Sequence, residues 1–182
     1  KMSVLGELQP NKVFKYFEEI CSIPHGSRNL QQISDYLVDF AKAHELKYRQ
    51  DEDLNVIIWK DGSKGYEASE PVILQGHMDM VAVKEADCDK DMEKEGLDLE
   101  INGDYISAKG TSLGGDDGIA VAYTLAVLDD EEMAHPPIEA IFTVNEEIGM
   151  LGAATIDVSD LKGRLFMNMD SEDEGVFTVS CA

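Results

Sequence analysis

Three short apolar segments of this chain each run into histidine or carboxylate side chains. The segments are 71–75, 138–144 and 165–169, and the polar residues that follow them are His77 with Asp79, Glu146 with Glu147, and Asp170. Short apolar runs of this kind predict strands, and the run 71–75 is expected to be buried. In an open α/β sheet, ligands bind in the crevice outside the carboxyl ends of the strands. We therefore expect these side chains, which are far apart in the sequence, to meet at one edge of a sheet.

Helical patterns separate the predicted strands. Apolar residues recur at helical spacing in three segments, with a short helix predicted in a fourth: 11–23, 27–43, 119–128 and 149–155. The remaining strands are predicted at 55–59, at 176–181 and in a hairpin around Asn102-Gly103. The polar segments between them, including the charged run 86–96, are predicted to be loops. This alternation predicts an α/β fold with a mixed, largely parallel sheet flanked by helices.

The charge balance of the chain excludes two classes of partner. It has 15 basic and 37 acidic residues and a net charge of −22. Nucleic acids and anionic membranes both require a cationic face, so neither is an expected partner. The three cysteines, Cys21, Cys88 and Cys181, form no CxxC pair and are interpreted as packed or surface thiols. A reducing cytoplasm is the simplest compartment for such a chain.

The clustered carboxylates favour a metal site. Asp116-Asp117 follows Gly114-Gly115 at the start of a predicted helix and adds a fourth acidic segment to the three strand ends. Carboxylates packed together repel one another and raise each other's pKa, and a polyvalent cation removes that repulsion. An oxygen-rich set with one imidazole suits Zn²⁺, Mn²⁺ or Co²⁺ better than a soft thiolate site does.

The spacing within the motifs indicates different roles for neighbouring residues. On an extended strand, His77 and Asp79 share one face, so Asp79 can orient the imidazole by accepting its other ring N–H. Glu146 and Glu147 are adjacent and point in different directions. One of them can bind a metal while the other stays free to accept a proton.

Each of these features also has a common structural explanation when it stands alone. A single histidine is most often a packed or surface residue, and an acidic pair is most often solvated. A Gly-Gly-Asp-Asp-Gly string is most often a turn that leads into a helix, and a single aspartate after a strand, such as Asp170, is most often a turn residue. The combination of all four features, and none of them singly, favours a metal site.

Five motifs resemble one family of peptidases: IPHGS (23–27), GHMDMV (76–81), TSLGGDDGIAVA (111–122), TVNEEIGMLGA (143–153) and NMDSEDEG (168–175). They resemble the cytosolic aminoacyl-histidine dipeptidases (peptidase D, Xaa-His dipeptidase). That family lies within the dinuclear zinc peptidases, which include tripeptidase T, the aminoacylases and carboxypeptidase G. The resemblance extends over essentially all of the chain. It implies a zinc-exopeptidase-like catalytic domain.

The resemblance also implies a role for each site residue. His77 would ligate the first metal with Asp79 orienting it, Asp116 would bridge both metals, Glu146 would be the general base, Glu147 would ligate the second metal and Asp170 the first. The implied cofactor is a pair of Zn²⁺ ions, with Mn²⁺ or Co²⁺ as possible replacements. The family pattern further implies a cis peptide bond after Asp116.

Two departures from the family are visible. The family usually has asparagine after the bridging aspartate, whereas this chain has Asp117. Family members are also much longer, because they insert a lid or dimerisation domain and return to supply a last ligating histidine. We therefore expect residues 1–182 to be the N-terminal part of the catalytic domain, without these two parts.

None of the remaining histidines fills the place of that last ligand. His44 is interpreted as a surface residue and His135 as a loop residue. His25 could approach the cleft from its loop, but we expect it at the surface. We expect this chain to bind one metal better than two and to be nearly inactive by itself.

The sequence thus favours metal-dependent hydrolysis of Xaa-His dipeptides by water that two metals activate, with a dipeptide as the partner and a homodimer as a possible assembly. Two alternatives stay open. One is another member of the same hydrolase group, a tripeptidase or an N-acyl-amino-acid deacylase. The other is an inactive domain that binds metal or peptide.

Overall fold

The computed structural model describes residues 3–171 and 175–179. The helices are α1 (Asn11–Cys21), α2 (Gln31–Ala43), α3 (Gly115–Leu128) and α4 (Leu151–Thr155). The strands are β1 (Lys47–Gln50), β2 (Val56–Lys60), β3 (Val72–His77), β4 (Leu99–Asn102), β5 (Tyr105–Ala108), β6 (Ile138–Thr143) and β7 (Leu165–Asn168).

Five strands form one mixed sheet in the order β1-β2-β6-β3-β7. The strand β3 pairs in parallel with β6 on one side and with β7 on the other, whereas β1–β2 and β2–β6 are antiparallel. The predicted α/β class with a mixed sheet and helices is confirmed, with its parallel part confined to β6, β3 and β7. Because parallel strands end at the same edge of a sheet, the residues after β6, β3 and β7 meet there.

The helix α3 packs between α1 and the strand β3. Its apolar residues are buried on nearly all sides, as expected for a helix that lies inside the core. The approach of α1 to α3 is close, since a Cβ at Gly118 would lie 3.3 Å from the ring of Phe17. This packing fixes the start of α3 next to the end of β3.

The hairpin predicted around Asn102-Gly103 is present as the separate two-stranded sheet β4–β5. Gly103 adopts a φ of 62°, which the tight turn between the two strands requires. Cys21 is buried and Cys88 is half-buried, and both are free thiols, while Cys181 lies outside the described residues. Among the helices of the described ranges, none has the length and apolar character needed to cross a membrane.

Three sequence expectations differ from the structure. The edge strand β1 (KYRQ) was not predicted from the sequence, because it is four residues long and carries no apolar alternation. The second helix begins at Gln31 instead of residue 27, because Ser27 and Asn29 hydrogen-bond as a loop and Arg28 has a φ of 72°. The strand expected at 176–181 is absent over 176–179, and its last two residues lie outside the described ranges.

Candidate metal centre

His77 is the last residue of β3, and its side chain is 1% exposed. The residue before it must be small, because a Cβ at Gly76 would lie 2.8 Å from Oδ2 of Asp117 and 3.0 Å from Cβ of Ala120. The missing side chain at Gly76 therefore allows the start of α3 to lie directly against the end of β3.

The start of α3 has the unusual backbone that the family pattern implies. Gly114 is left-handed with a φ of 68°, and the peptide bond between Asp116 and Asp117 is cis, as predicted. This backbone separates the two neighbouring carboxylates. Asp117 is buried and accepts the backbone N–H of His77 at 3.1 Å, whereas the side chain of Asp116 is 71% exposed and reaches the imidazole.

Three side chains offer ligand atoms that lie within 4.8 Å of one another: His77, Asp116 and Asp170. The distance from His77 Nε2 to Asp116 Oδ1 is 3.0 Å. Asp170 follows β7, which lies on the side of β3 opposite β6. The structure therefore brings together these three of the predicted ligands, and we refer to them as the metal trio.

The orientation of the imidazole is fixed from behind by Asp79. His77 Nδ1 lies 2.9 Å from the carbonyl oxygen of Asp79 and 3.5 Å from its carboxylate. Because a carbonyl oxygen only accepts hydrogen bonds, Nδ1 carries a hydrogen and Nε2 faces Asp116. The sequence predicted that the carboxylate of Asp79 accepts this N–H, and the structure adds that the backbone carbonyl is the nearer acceptor.

Glu146 and Glu147 lie on the loop between β6 and α4. Glu146 Oε2 is 3.9 Å from His77 Nε2, and the Glu146 N–H donates to Asp79 Oδ1 at 3.0 Å. Neither glutamate belongs to a group of three or more close ligand atoms in the part of the chain that the structure describes. The two residues therefore border the metal trio without joining it.

A buried asparagine holds the two ends of this loop together. Asn55 accepts the N–H of Val144 through Oδ1 at 3.1 Å and donates to the carbonyl of Gly152 at 3.3 Å. The Gly152 N–H in turn donates to the Val144 carbonyl at 2.9 Å. The sequence analysis did not identify Asn55, since an asparagine before a strand usually indicates only a turn.

The electrostatics of the site favour a cation. Burial, together with the charges of Asp170 and Asp116, raises the pKa of Asp117 to about 7, against the opposing effect of His77. Burial also raises the pKa of Glu147, and the charge of Asp116 adds to that rise. Burial is the larger cause of both shifts, and the contribution of the neighbouring carboxylates shows that negative charges lie close together here.

For His77 and Asp79, by contrast, the surroundings favour the charged form of the side chain. Burial alone would lower the pKa of His77, but the hydrogen bond with Asp79 and the surrounding carboxylates outweigh it and raise the pKa to about 9. Burial acts to raise the pKa of Asp79, yet the hydrogen bonds that its carboxylate accepts hold the pKa below its usual value. A proton on His77 Nε2 thus lies where a metal ion would bind.

The other histidines belong to no group of three or more close ligand atoms in the described ranges, and one prediction about them was wrong. His25 is 2% exposed, because its loop is covered by the turn at Asp79 and Met80, so it is no surface residue. His44 caps α2, with its ring 4.3 Å from that of Phe40. His135 lies in a loop, as expected, although it is buried there.

Comparison with known proteins identifies relatives of this chain. No family model matches the chain. The cytosol non-specific dipeptidase of Escherichia coli (strain K12) is 40% identical over 181 residues, which are 100% of this chain and 37% of that protein. The crystal structure of an aminoacylhistidine dipeptidase from Vibrio alginolyticus superposes with a TM-score of 0.91 at 40% identity, covering 96% of this chain and 36% of that one.

The chain is homologous to the aminoacylhistidine dipeptidases. The resemblance predicted from the motifs is thereby confirmed, and so is the zinc-exopeptidase-like fold. A tripeptidase from Staphylococcus aureus has the same fold, with a TM-score of 0.74 at 23% identity over 92% of this chain and 45% of its own. The chain spans little more than a third of the length of its dipeptidase relatives.

Proposed function

We propose that this chain carries a large part of the catalytic centre of a metal-dependent dipeptidase that hydrolyses Xaa-His dipeptides. The observation that supports this proposal most directly is the metal trio, at which His77, Asp116 and Asp170 converge within 4.8 Å. The dipeptidase relatives, at 40% identity, supply the reaction class.

The residues present fit a divalent cation of the zinc type. One imidazole nitrogen and two carboxylates match the ligands that Zn²⁺, Mn²⁺ and Co²⁺ accept. The contact between His77 Nδ1 and the Asp79 carbonyl leaves Nε2 for the metal, as is usual for a ligating histidine. A bound cation would polarise the scissile carbonyl and lower the pKa of water. We propose Zn²⁺ as the native ion.

Glu146 is the residue that we assign as the general base. Its carboxylate lies beside the trio and is partly exposed, so it can reach both water and substrate. It would accept a proton from the attacking water at Oε2 and deliver that proton to the leaving amine. Asp79 would hold His77 and the backbone of Glu146 in place during this transfer.

Glu147 is assigned to a second metal, with Asp116 as the bridge between both ions. Its support is the repulsion between the two carboxylates, which adds to the effect of burial in raising the pKa of Glu147 and which a shared cation would relieve. The last histidine ligand, the second domain and a homodimer stay predictions from the resemblance. The E. coli relative is named for the cytosol, and we propose the cytoplasm for this protein too.

The test is hydrolysis of Xaa-His dipeptides by the complete gene product with Zn²⁺, compared with the variant Glu146→Gln. We expect kcat to fall by about 10²- to 10⁴-fold, the usual contribution of a general base, with the metal content unchanged. The matched control is Glu67→Gln, an exposed glutamate in the loop between β2 and β3, at the sheet edge opposite the strand ends that carry the trio, which should leave kcat unchanged. Full activity of Glu146→Gln would overturn the assignment of the base.

A further inference from the structure

The loop before α2 contacts the site from the side opposite the metal trio. The Ser27 N–H donates to the Met80 carbonyl at 3.1 Å, and the Met80 N–H donates to the His25 carbonyl at 3.2 Å. These bonds, with the bridge between Gly26 and Met80, align the loop with the residues that follow β3. The IPHGS motif thus lies directly beside Asp79.

The side chain of Ser27 contacts Asp79 itself. The Ser27 hydroxyl donates to Asp79 Oδ2 at 2.8 Å, while Asp79 Oδ1 accepts the N–H of Glu146 at 3.0 Å and lies 3.5 Å from His77 Nδ1. The side chain of Asp79 is 0% exposed, so its oxygens depend on partners from the protein. The two carboxylate oxygens therefore have different partners: Oδ2 accepts the Ser27 hydroxyl, whereas Oδ1 faces the Glu146 N–H and the His77 ring.

The same loop also reaches the glutamate loop through its backbone. The Arg28 N–H donates to Oδ1 of Asn145 at 2.8 Å. Arg28 has a φ of 72° and Asn145 a φ of 54°, so both residues adopt left-handed backbone to make this contact. Two consecutive residues of one loop thus hold the turn at Asp79 and the loop of Glu146.

We propose that Ser27 is a positioning residue, which fixes the carboxylate of Asp79 so that it holds His77 and the backbone of Glu146 at the same time. This role rests on the proposed function, in which Asp79 holds the ligand His77 and Glu146 is the general base. Ser27 touches neither the trio nor Glu146 and acts only through Asp79.

Removal of the hydroxyl would leave one oxygen of a buried carboxylate without its donor. Such an ion is costly, so the carboxylate would turn towards other donors. Any such rotation moves Oδ1 away from the Glu146 N–H or from His77. One substitution should therefore disturb the histidine ligand and the glutamate loop together, although His77 ends β3 and the glutamate loop follows β6.

The experiment compares Ser27→Ala and Ser27→Thr with the unchanged chain. The first readout needs no metal and is the ¹⁵N–¹H spectrum, in which the Glu146 amide proton should shift upfield in Ser27→Ala as its bond to the carboxylate weakens. The second readout is a titration with Co²⁺ alone, followed by the visible absorption of the bound ion. We expect the dissociation constant to rise about tenfold, the lower end of what loss of a residue behind a ligand costs. Ser27→Thr retains the hydroxyl and should restore both readouts.

The matched control is Ser63→Ala, which removes a half-buried hydroxyl that donates to the His135 carbonyl at 3.2 Å and accepts the His135 N–H at 2.9 Å, at the sheet edge opposite the trio. It should cost stability without changing the Glu146 amide or the Co²⁺ spectrum. If Ser27→Ala leaves both readouts unchanged, or if Ser63→Ala changes them equally, the positioning role is overturned.

A further variant separates this inference from the proposed function. If His77→Ala binds Co²⁺ as the unchanged chain does, the metal centre itself is wrong. The Glu146 amide shift in Ser27→Ala still decides the contact with Asp79 in that case.

Discussion

The two sides of the metal trio are built very differently. His77 ends a central strand and is 1% exposed, and its backbone N–H and its ring Nδ1 are hydrogen-bonded to Asp117 and Asp79. Asp170 follows the edge strand β7, whose four residues are all exposed. The imidazole is therefore positioned by the fold of this chain before any ion binds, whereas the acidic side stays accessible to a cation from solvent.

The largest difference is expected in metal affinity. His77→Ala removes the preorganised ligand and should weaken Zn²⁺ binding by more than about 1,000-fold, beyond the about 10- to 100-fold typical of residues behind a ligand. Asp170→Asn should weaken Zn²⁺ binding less, because the exposed side chain of Asp170 is less preorganised for the ion than the buried imidazole is. Isothermal calorimetry checks this order, with His44→Ala as the control. Equal losses of Zn²⁺ affinity in His77→Ala and Asp170→Asn would contradict the difference between a preorganised imidazole and an exposed carboxylate.

The next difference is expected in stability, at two residues that face each other in the β3–β7 register. Ile73 is 7% exposed, and its partner Phe166 is 54% exposed. Ile73→Ala should lower the free energy of unfolding by about 3 kcal/mol through lost burial and a cavity. Phe166→Ala should lower it by less than about 1 kcal/mol. Urea unfolding measures both, and a larger loss at Phe166 would show that β7 is buried in solution.

A smaller loss is expected from Gly76→Ala, which tests how closely α3 approaches β3. The new Cβ would lie 2.8 Å from the buried Asp117 carboxylate, so the start of α3 must shift, at about 2 kcal/mol. Gly115→Ala is the control, since its nearest neighbour would be 3.9 Å away at Leu113. If the two variants unfold at the same urea concentration, the close contact between helix and strand is wrong.

The smallest effect concerns pH and the buried His25. Burial lowers the pKa of His25 below its usual 6.5, so the unfolded chain binds this proton more readily than the folded protein. The stability that results is complete above about pH 6.5 and is lost as the pH falls towards the folded-state pKa. His25→Asn cannot titrate, so its stability should decline less between pH 7 and pH 5. Parallel curves for both proteins would show that His25 is solvated.

The sequence was a good guide where strand ends carried the chemistry. His77, Asp116 and Asp170 could be predicted to meet because short apolar strands and a Gly-Gly-Asp-Asp turn each have local signals. The cis bond after Asp116 came from the family resemblance alone, since nothing in the spacing of the residues indicates it.

The residues behind the site could not be predicted in the same way. Ser27 and Asn55 act through contacts with segments more than 50 positions away, and no local pattern encodes such contacts. His25 was expected at the surface for the same reason, because its burial depends on the turn at Met80. The edge strand β1 was missed because its four residues carry no apolar alternation.

The central claim is that His77, Asp116 and Asp170 hold one divalent cation. A crystal structure of the protein grown with Zn²⁺, with anomalous diffraction measured at the zinc edge, tests it most directly. An anomalous peak is expected about 2.0–2.2 Å from Nε2 of His77 and from a carboxylate oxygen of each aspartate. A peak that lies elsewhere, with His77 still bonded to Asp116, would contradict it.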